Sequence, residues 1–233
     1  MTQAAPALVT NELDVVDSLV PLRGARLLEA GCGAARLARE LLQRHPDAEL
    51  TGIEVDDRQH AKNLAEPAPR LTFLRAGAEA VPFPDASFDG ALMLKSLHHV
   101  PRPLMATALA EIARVVKPGG WLYVSEPVYA GDFNDVIRLF NDEREVRAAA
   151  QRAVDDALGT RHWQAAAERR FDMPAKFRDF AEFEQRIMRP TFVEHHLDDA
   201  MVARVRKRFT AHLGPDGAAF TVPVHVRLLR RLP

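Results

Sequence analysis

Cysteine is almost absent from this chain. Cys32 is the only one in 233 residues, so no disulfide can form within it, and the expected compartment is the cytoplasm. A dominant charge sign is missing too: 31 basic residues stand against 32 acidic ones, for a formal net charge of −1. That balance offers no basic field for nucleic acid or an anionic membrane, and neither is expected as a partner. No apolar run approaches the ~20 residues of a membrane span. The first residues, Ala-rich and then acidic at Glu12, Asp14 and Asp17, do not read as a signal or transit peptide. Internal repeats, low-complexity tracts and Ser-His-Asp or Cys-His nucleophile signatures are all missing from the sequence. What remains is an ordinary globular balance, 47% hydrophobic and 27% charged, at a length that suits one domain with a sizeable core.

The informative stretch is Leu27 to Ala38, where a short apolar run breaks into glycines and resumes with helical spacing. A second apolar run, Thr51-Gly52-Ile53-Glu54-Val55-Asp56, ends in acid. Strand, glycine turn, helix and then a strand-end acid about 20 residues on is how an α/β sheet builds a nucleoside pocket. The glycines let the backbone approach the ligand, and the acid takes the ribose hydroxyls. Glu29 directly precedes Gly31-x-Gly33-x-Ala35. A carboxylate there repels a pyrophosphate but suits a cationic amine, such as the α-ammonium of a methionine moiety.

On these residues the chain resembles the class I S-adenosylmethionine (SAM)-dependent methyltransferases, in particular their small-molecule "type 11" branch. Three further segments carry the resemblance: Leu71–Phe83 as third strand and adenine loop, Ser87–Val100 as fourth strand and its following loop, and Glu111–Val124 as helix, Lys-Pro-Gly-Gly turn and fifth strand. Together they span about the first half of the chain. The resemblance implies SAM as cofactor, S-adenosylhomocysteine as product and a small-molecule acceptor. It implies that Glu29, Gly31, Gly33, Glu54, Val55, Ala78, Glu79 and Lys95 hold the cofactor. Two positions depart from the pattern. Ala35 stands where the third glycine is usual, and Gly77 stands where many relatives carry an acid that meets the adenine amino group, which leaves that contact to Glu79 or to the backbone near Ala78.

The expected fold is α/β: a Rossmann-like, seven-stranded, mainly parallel sheet with helices on both faces, since strands alternate with helices. Strands are expected at 26–30, 49–54, 71–75, 88–94, 121–125, 183–192 and 218–232, and helices at 8–20, 34–44, 57–64, 104–116 and 198–213. Residues 128–182 read as a helical cap inserted after strand five in a single domain of 1–233, with helices through 133–140 and 146–157 and a third near Trp163. Pro223 is a mild objection to the last strand.

Methyl transfer from a sulfonium is an in-line displacement that needs positioning and dryness, and a base only for a hydroxyl or protonated amine. His98 and His99 follow strand four, where acceptor and methyl group should meet. Either can be the base, and either can instead pack or face solvent. Tyr129 and Glu126, just past strand five, point toward the same region. Cys32 reads as inert packing. No metal is expected: His195-His196 with Glu194 and Asp198 fit no zinc spacing and read as a helix start. Trp163, Phe133 and Phe140 line an acceptor pocket or belong to the core, and the arginines 144, 147, 152, 161, 169 and 170 read as a solvated face. The rival readings are a SAM-fold enzyme with other chemistry, a nicotinamide oxidoreductase and a non-catalytic binding subunit.

Overall fold

A computed structural model describes residues 7–189 and 195–233. Nine strands are present among them, β1 (Ala7–Leu8), β2 (Arg26–Ala30), β3 (Glu49–Glu54), β4 (Leu71–Arg75), β5 (Phe88–Leu94), β6 (Val116–Pro127), β7 (Trp163–Phe177), β8 (Leu213–Gly214) and β9 (Gly217–Arg231). Six of the seven expected strands are among the long ones, β7 is a long strand that was not expected, and β1 and β8, of two residues each, bring the number to nine. The α-helices are α1 (Glu12–Leu19), α2 (Arg36–Arg44), α3 (Asp57–Ala65), α4 (Met105–Val115), α5 (Gly131–Ile137), α6 (Arg144–Leu158), α7 (Phe180–Phe183) and α8 (Asp199–Thr210). No helix among the described residues is long and apolar enough to cross a membrane.

By contact the chain divides into two compact units. The larger comprises 11–126, 146–169 and 225–233, and the smaller 1–10, 127–145 and 170–224. In the larger unit the strand order is β7-β9-β6-β5-β2-β3-β4. The pairs β2–β3, β2–β5, β3–β4 and β5–β6 are parallel. Their register aligns Ala30 with Ile53, Glu54 with Arg75 and Leu94 with Ser125, so the carboxyl ends of five strands gather along one edge. In such sheets that edge is where ligands bind.

Local chemistry explains the elements. The Asn11 side chain accepts from Leu13 N at the start of α1, and Asp56 accepts from Gln59 N at the start of α3, caps worth about 1 kcal/mol each. α4 buries Met105, Ala108, Leu109, Ile112 and Ala113 at helical spacing against strand residues such as Leu28, Ala91 and Leu122. Trp163 belongs to this core, its indole N–H donating to Leu109 O at 3.1 Å.

The smaller unit packs a cluster of phenylalanines. Phe183 lies 5.2 Å from Phe177 and 5.0 Å from Phe209 between ring centroids, and Phe133 stacks on Phe177 at 5.9 Å. Asp198 caps α8 by accepting from Met201 N, in keeping with a helix start there.

Two expected elements are different. The helix expected near Trp163 is instead β7, a 15-residue strand, so the segment 128–182 is helical only in α5, α6 and the start of α7. Its Ala-, Arg- and Glu-rich sequence lacks strand periodicity, and pairing in the sheet overrides local propensity. The strand expected at 183–192 is instead the end of α7 and a π-helical turn, Glu184–Met188, with 190–192 outside the described residues. Phe180 and Phe183 are buried three residues apart, a helical interval, and the Asp179 side chain caps the turn at Glu182 N. β6 also starts earlier than expected, at Val116, and takes in the Lys-Pro-Gly-Gly segment. Pro223 lies inside β9, where its carbonyl accepts from Val128 N at 2.8 Å.

Candidate cofactor site at the strand ends

The glycine turn leaves β2 with Gly31 at φ +72° and Gly33 at φ +49°, and the backbone N–H groups of Gly31 and Cys32 both donate to Ile53 O at 3.0 Å. Gly31 has two reasons to be glycine. Its φ is left-handed, and a Cβ would stand 2.7 Å from that of Ser96. Ser96 in turn donates through its hydroxyl to Ala30 O at 2.7 Å, tying the loop after β5 to the end of β2. Ala35 sits at φ 51°, also left-handed. The position therefore calls for glycine-like backbone freedom as well as a small side chain. Asn63, buried on α3, steadies the turn by donating to Gly33 O at 2.8 Å.

Glu54 ends β3 and accepts three backbone N–H groups, Gly33 at 2.8 Å on one oxygen and Val55 at 2.8 Å and Asp56 at 3.0 Å on the other. A carboxylate has about four lone-pair sites, so acceptor capacity remains for a hydroxyl. Beside it Val55 is 62% exposed, an apolar surface at a strand end. Ala78 is buried, and Glu79 lies against Gly77. Its carboxylate folds back into the space that a side chain at 77 would fill.

Glu29 is 3% exposed, and its Oε2 is buried without a hydrogen-bond partner. Burial first, then the Glu12 carboxylate, pushes its pKa up to about 8; Glu54 adds to the rise and Lys95 opposes it. Lys95 sits at φ +54° with its backbone N–H donating to Ser125 O at 2.7 Å, and its ammonium pairs with Glu12. Cys32 is buried and its thiol is pushed up by burial and by Glu29 and Glu54, which leaves it unreactive, as expected.

His98 and His99 have different settings. His98 is 5% exposed and bonds through Nδ1 to Glu126 Oε2 at 2.5 Å; Glu126, 1% exposed, also accepts from Leu97 N at 3.0 Å. His99 is exposed, its ring centroid 4.1 Å from that of His98. Tyr129 belongs to the smaller unit, where the Arg144 guanidinium lies 5.0 Å from its ring centroid. Phe133 and Phe140 belong there as well, Phe140 packing edge-on against His195 at 5.3 Å. Arg147 is buried, which removes it from the expected solvated face. Glu194 lies outside the described residues.

Sequence reasoning missed Glu12, Ser96 and Asn63, each of which acts on the site from a distant point in the chain. The only signal for Glu12 was an acid at the start of a predicted helix.

The chain is similar to known methyltransferases over part of its sequence, and to solved structures in its fold. The family model described as "Methyltransferase domain" matches residues 28–124. The O-methyltransferase rstn1 of Aspergillus nomiae is 38% identical over 120 residues, 48% of this chain and 51% of that protein. The ubiquinone biosynthesis O-methyltransferase of Paracidovorax citrulli is 35% identical over 116 residues, 47% of each chain. The chain spans about half the length of the curated relatives it matches. Among solved structures, the YcgJ protein of Bacillus subtilis superposes with a TM-score of 0.66 at 18% identity, over 95% of this chain and 98% of that one, which shows the fold. Residues 28–124, which hold the glycine turn and the strand-end acid, thus match a methyltransferase domain, and the solved structures share the fold.

Proposed function

We propose that the protein is a SAM-dependent O-methyltransferase acting on a small molecule with a hydroxyl group, in the cytoplasm. The observation that carries the cofactor reading is the buried, unpartnered Oε2 of Glu29 beside the glycine turn. Such an atom costs free energy until a donor meets it, and a cationic amine is the donor its charge favours. Glu54 would take the ribose hydroxyls, Val55 and Ala78 would flank the adenine, and Glu79 would accept from its amino group. Lys95, fixed by Glu12, would border the methionine end. The names of the curated relatives support an oxygen acceptor.

When bound, the cofactor supplies a methyl group on a sulfonium, activated toward a nucleophile. The chain must orient the acceptor oxygen in line and take its proton. His98 is suited to that. With its Nδ1–H donating to Glu126, the lone pair rests on Nε2, and the buried carboxylate stabilises the imidazolium formed when the hydroxyl proton moves to Nε2. His99, exposed, is the secondary candidate.

The test is turnover on a panel of phenols and aliphatic alcohols with SAM, followed as S-adenosylhomocysteine plus methylated product. His98→Ala should lower turnover about 10²–10³-fold with cofactor affinity within about twofold, the range of a lost general base. His99→Ala should change it by a few-fold at most. Equal losses in both, or none in either, would remove the His98–Glu126 base. Cofactor turnover without a methylated acceptor would favour other chemistry on the same fold.

A further inference from the structure

Glu12 opens α1, well before the matched segment 28–124, yet its carboxylate is buried among the groups of the cofactor site. One oxygen pairs with the Lys95 ammonium, and the other accepts from the Tyr123 hydroxyl at 3.2 Å. The groups acting on Glu29 are Glu12 from α1, Glu54 from the end of β3 and Lys95 from the loop after β5. Cys32, in the glycine turn, is held as a neutral thiol, and burial and Glu12 keep the Tyr123 phenol protonated. Three carboxyl groups therefore share one cation, Lys95, and that cation is already committed to Glu12. Glu29 is left with a buried oxygen that nothing donates to. Ionising it there puts an unpaired charge in a dry place, beside two other carboxylates.

We propose that Glu29 carries a proton until a cationic ligand docks against it, and that Glu12 is the positioning residue that sets this state through its charge and its hold on Lys95. Cofactor binding then converts the Glu29 carboxylic acid to a carboxylate paired with the incoming ammonium, and the proton leaves to solvent. The inference rests on the SAM reading above and adds a proton to its binding equilibrium. The sign follows from the raised value near 8. Below that pH each ligand bound releases up to one proton, and affinity rises with pH by up to about tenfold per pH unit. Above it Glu29 is already ionised, and that dependence disappears.

Glu12 and Lys95 act on Glu29 with opposite signs, which gives the idea a sharp test. Calorimetric titration of the full chain with SAM and with S-adenosylhomocysteine is run from pH 6 to 9, in two buffers of different ionisation enthalpy, so that released protons are counted. In the wild type, release approaches one proton near pH 7 and the affinity profile bends near pH 8. Glu12→Gln, which keeps an acceptor for Tyr123, should move the bend to lower pH by on the order of one unit. Lys95→Met should move it upward, and Glu29→Gln should abolish the protein's share of the release. The ammonium of the free ligand also titrates, but at the same pH for all four proteins. A bend at one pH in all four proteins would assign it to the ligand and overturn the inference while leaving the SAM reading intact. Binding of neither adenosyl ligand by folded wild type would instead overturn the SAM reading itself.

Discussion

The two units are built from different materials. The larger holds its strand ends together with polar groups at specified places: a left-handed glycine against Ser96, a carboxylate under three backbone N–H groups, a buried His–Glu pair. The smaller is held by phenylalanine packing, with Phe133, Phe177, Phe180, Phe183, Phe209 and Phe220 in mutual contact. A polar site tolerates few substitutes, because each buried donor and acceptor must be met, whereas an apolar cluster accepts many side chains of suitable volume. This is why the first region can be recognised from its residues and the second cannot.

Substitutions can break that comparison or sharpen it. Phe183→Ala should have the largest effect, a loss of about 3–5 kcal/mol in stability by urea denaturation, since it empties the centre of the aromatic cluster. SAM affinity measured at a temperature where the variant is folded should change by less than about threefold; a large loss would show that the division of labour between the units is wrong. Glu54→Ala comes next. It should weaken SAM by about 2–3 kcal/mol, the scale of charge-assisted hydrogen bonds, and unchanged affinity would mean that the ribose site lies elsewhere. Ala35→Gly should be the smallest and of opposite sign, a gain of up to about 1 kcal/mol in stability, because glycine adopts the left-handed φ of 51° without the steric cost of a Cβ. A loss there would mean that the buried methyl group outweighs the backbone.

Most strands of the larger unit were legible because each is a short, largely apolar run bounded by polar or glycine-containing segments. β2, β3, β4 and β5 occur at the residues expected. The candidate cofactor residues were legible for a related reason: Gly31 and Glu54 lie in a local pattern whose spacing reflects one strand–turn–helix–strand unit. Glu12 was not, because its partner Lys95 lies 83 residues away and an acid in the first turn of a helix has an ordinary explanation in the helix dipole. β7 was hidden by composition, since 163–177 places Ala, Arg and Glu where a strand usually places β-branched residues. The difference between His98 and His99 was out of reach as well. Adjacent residues in a short 3₁₀ turn point in different directions, and only the structure turns one toward Glu126.

The central claim is that the strand ends of the larger unit bind an adenosyl-methionine ligand. It is tested most directly by titrating the purified protein with SAM at pH 8, with NADH as the control. The account predicts saturable micromolar binding of SAM and none of NADH. Binding of NADH with SAM ignored would contradict it, and would make the buried carboxylate of Glu29 a feature in need of another ligand.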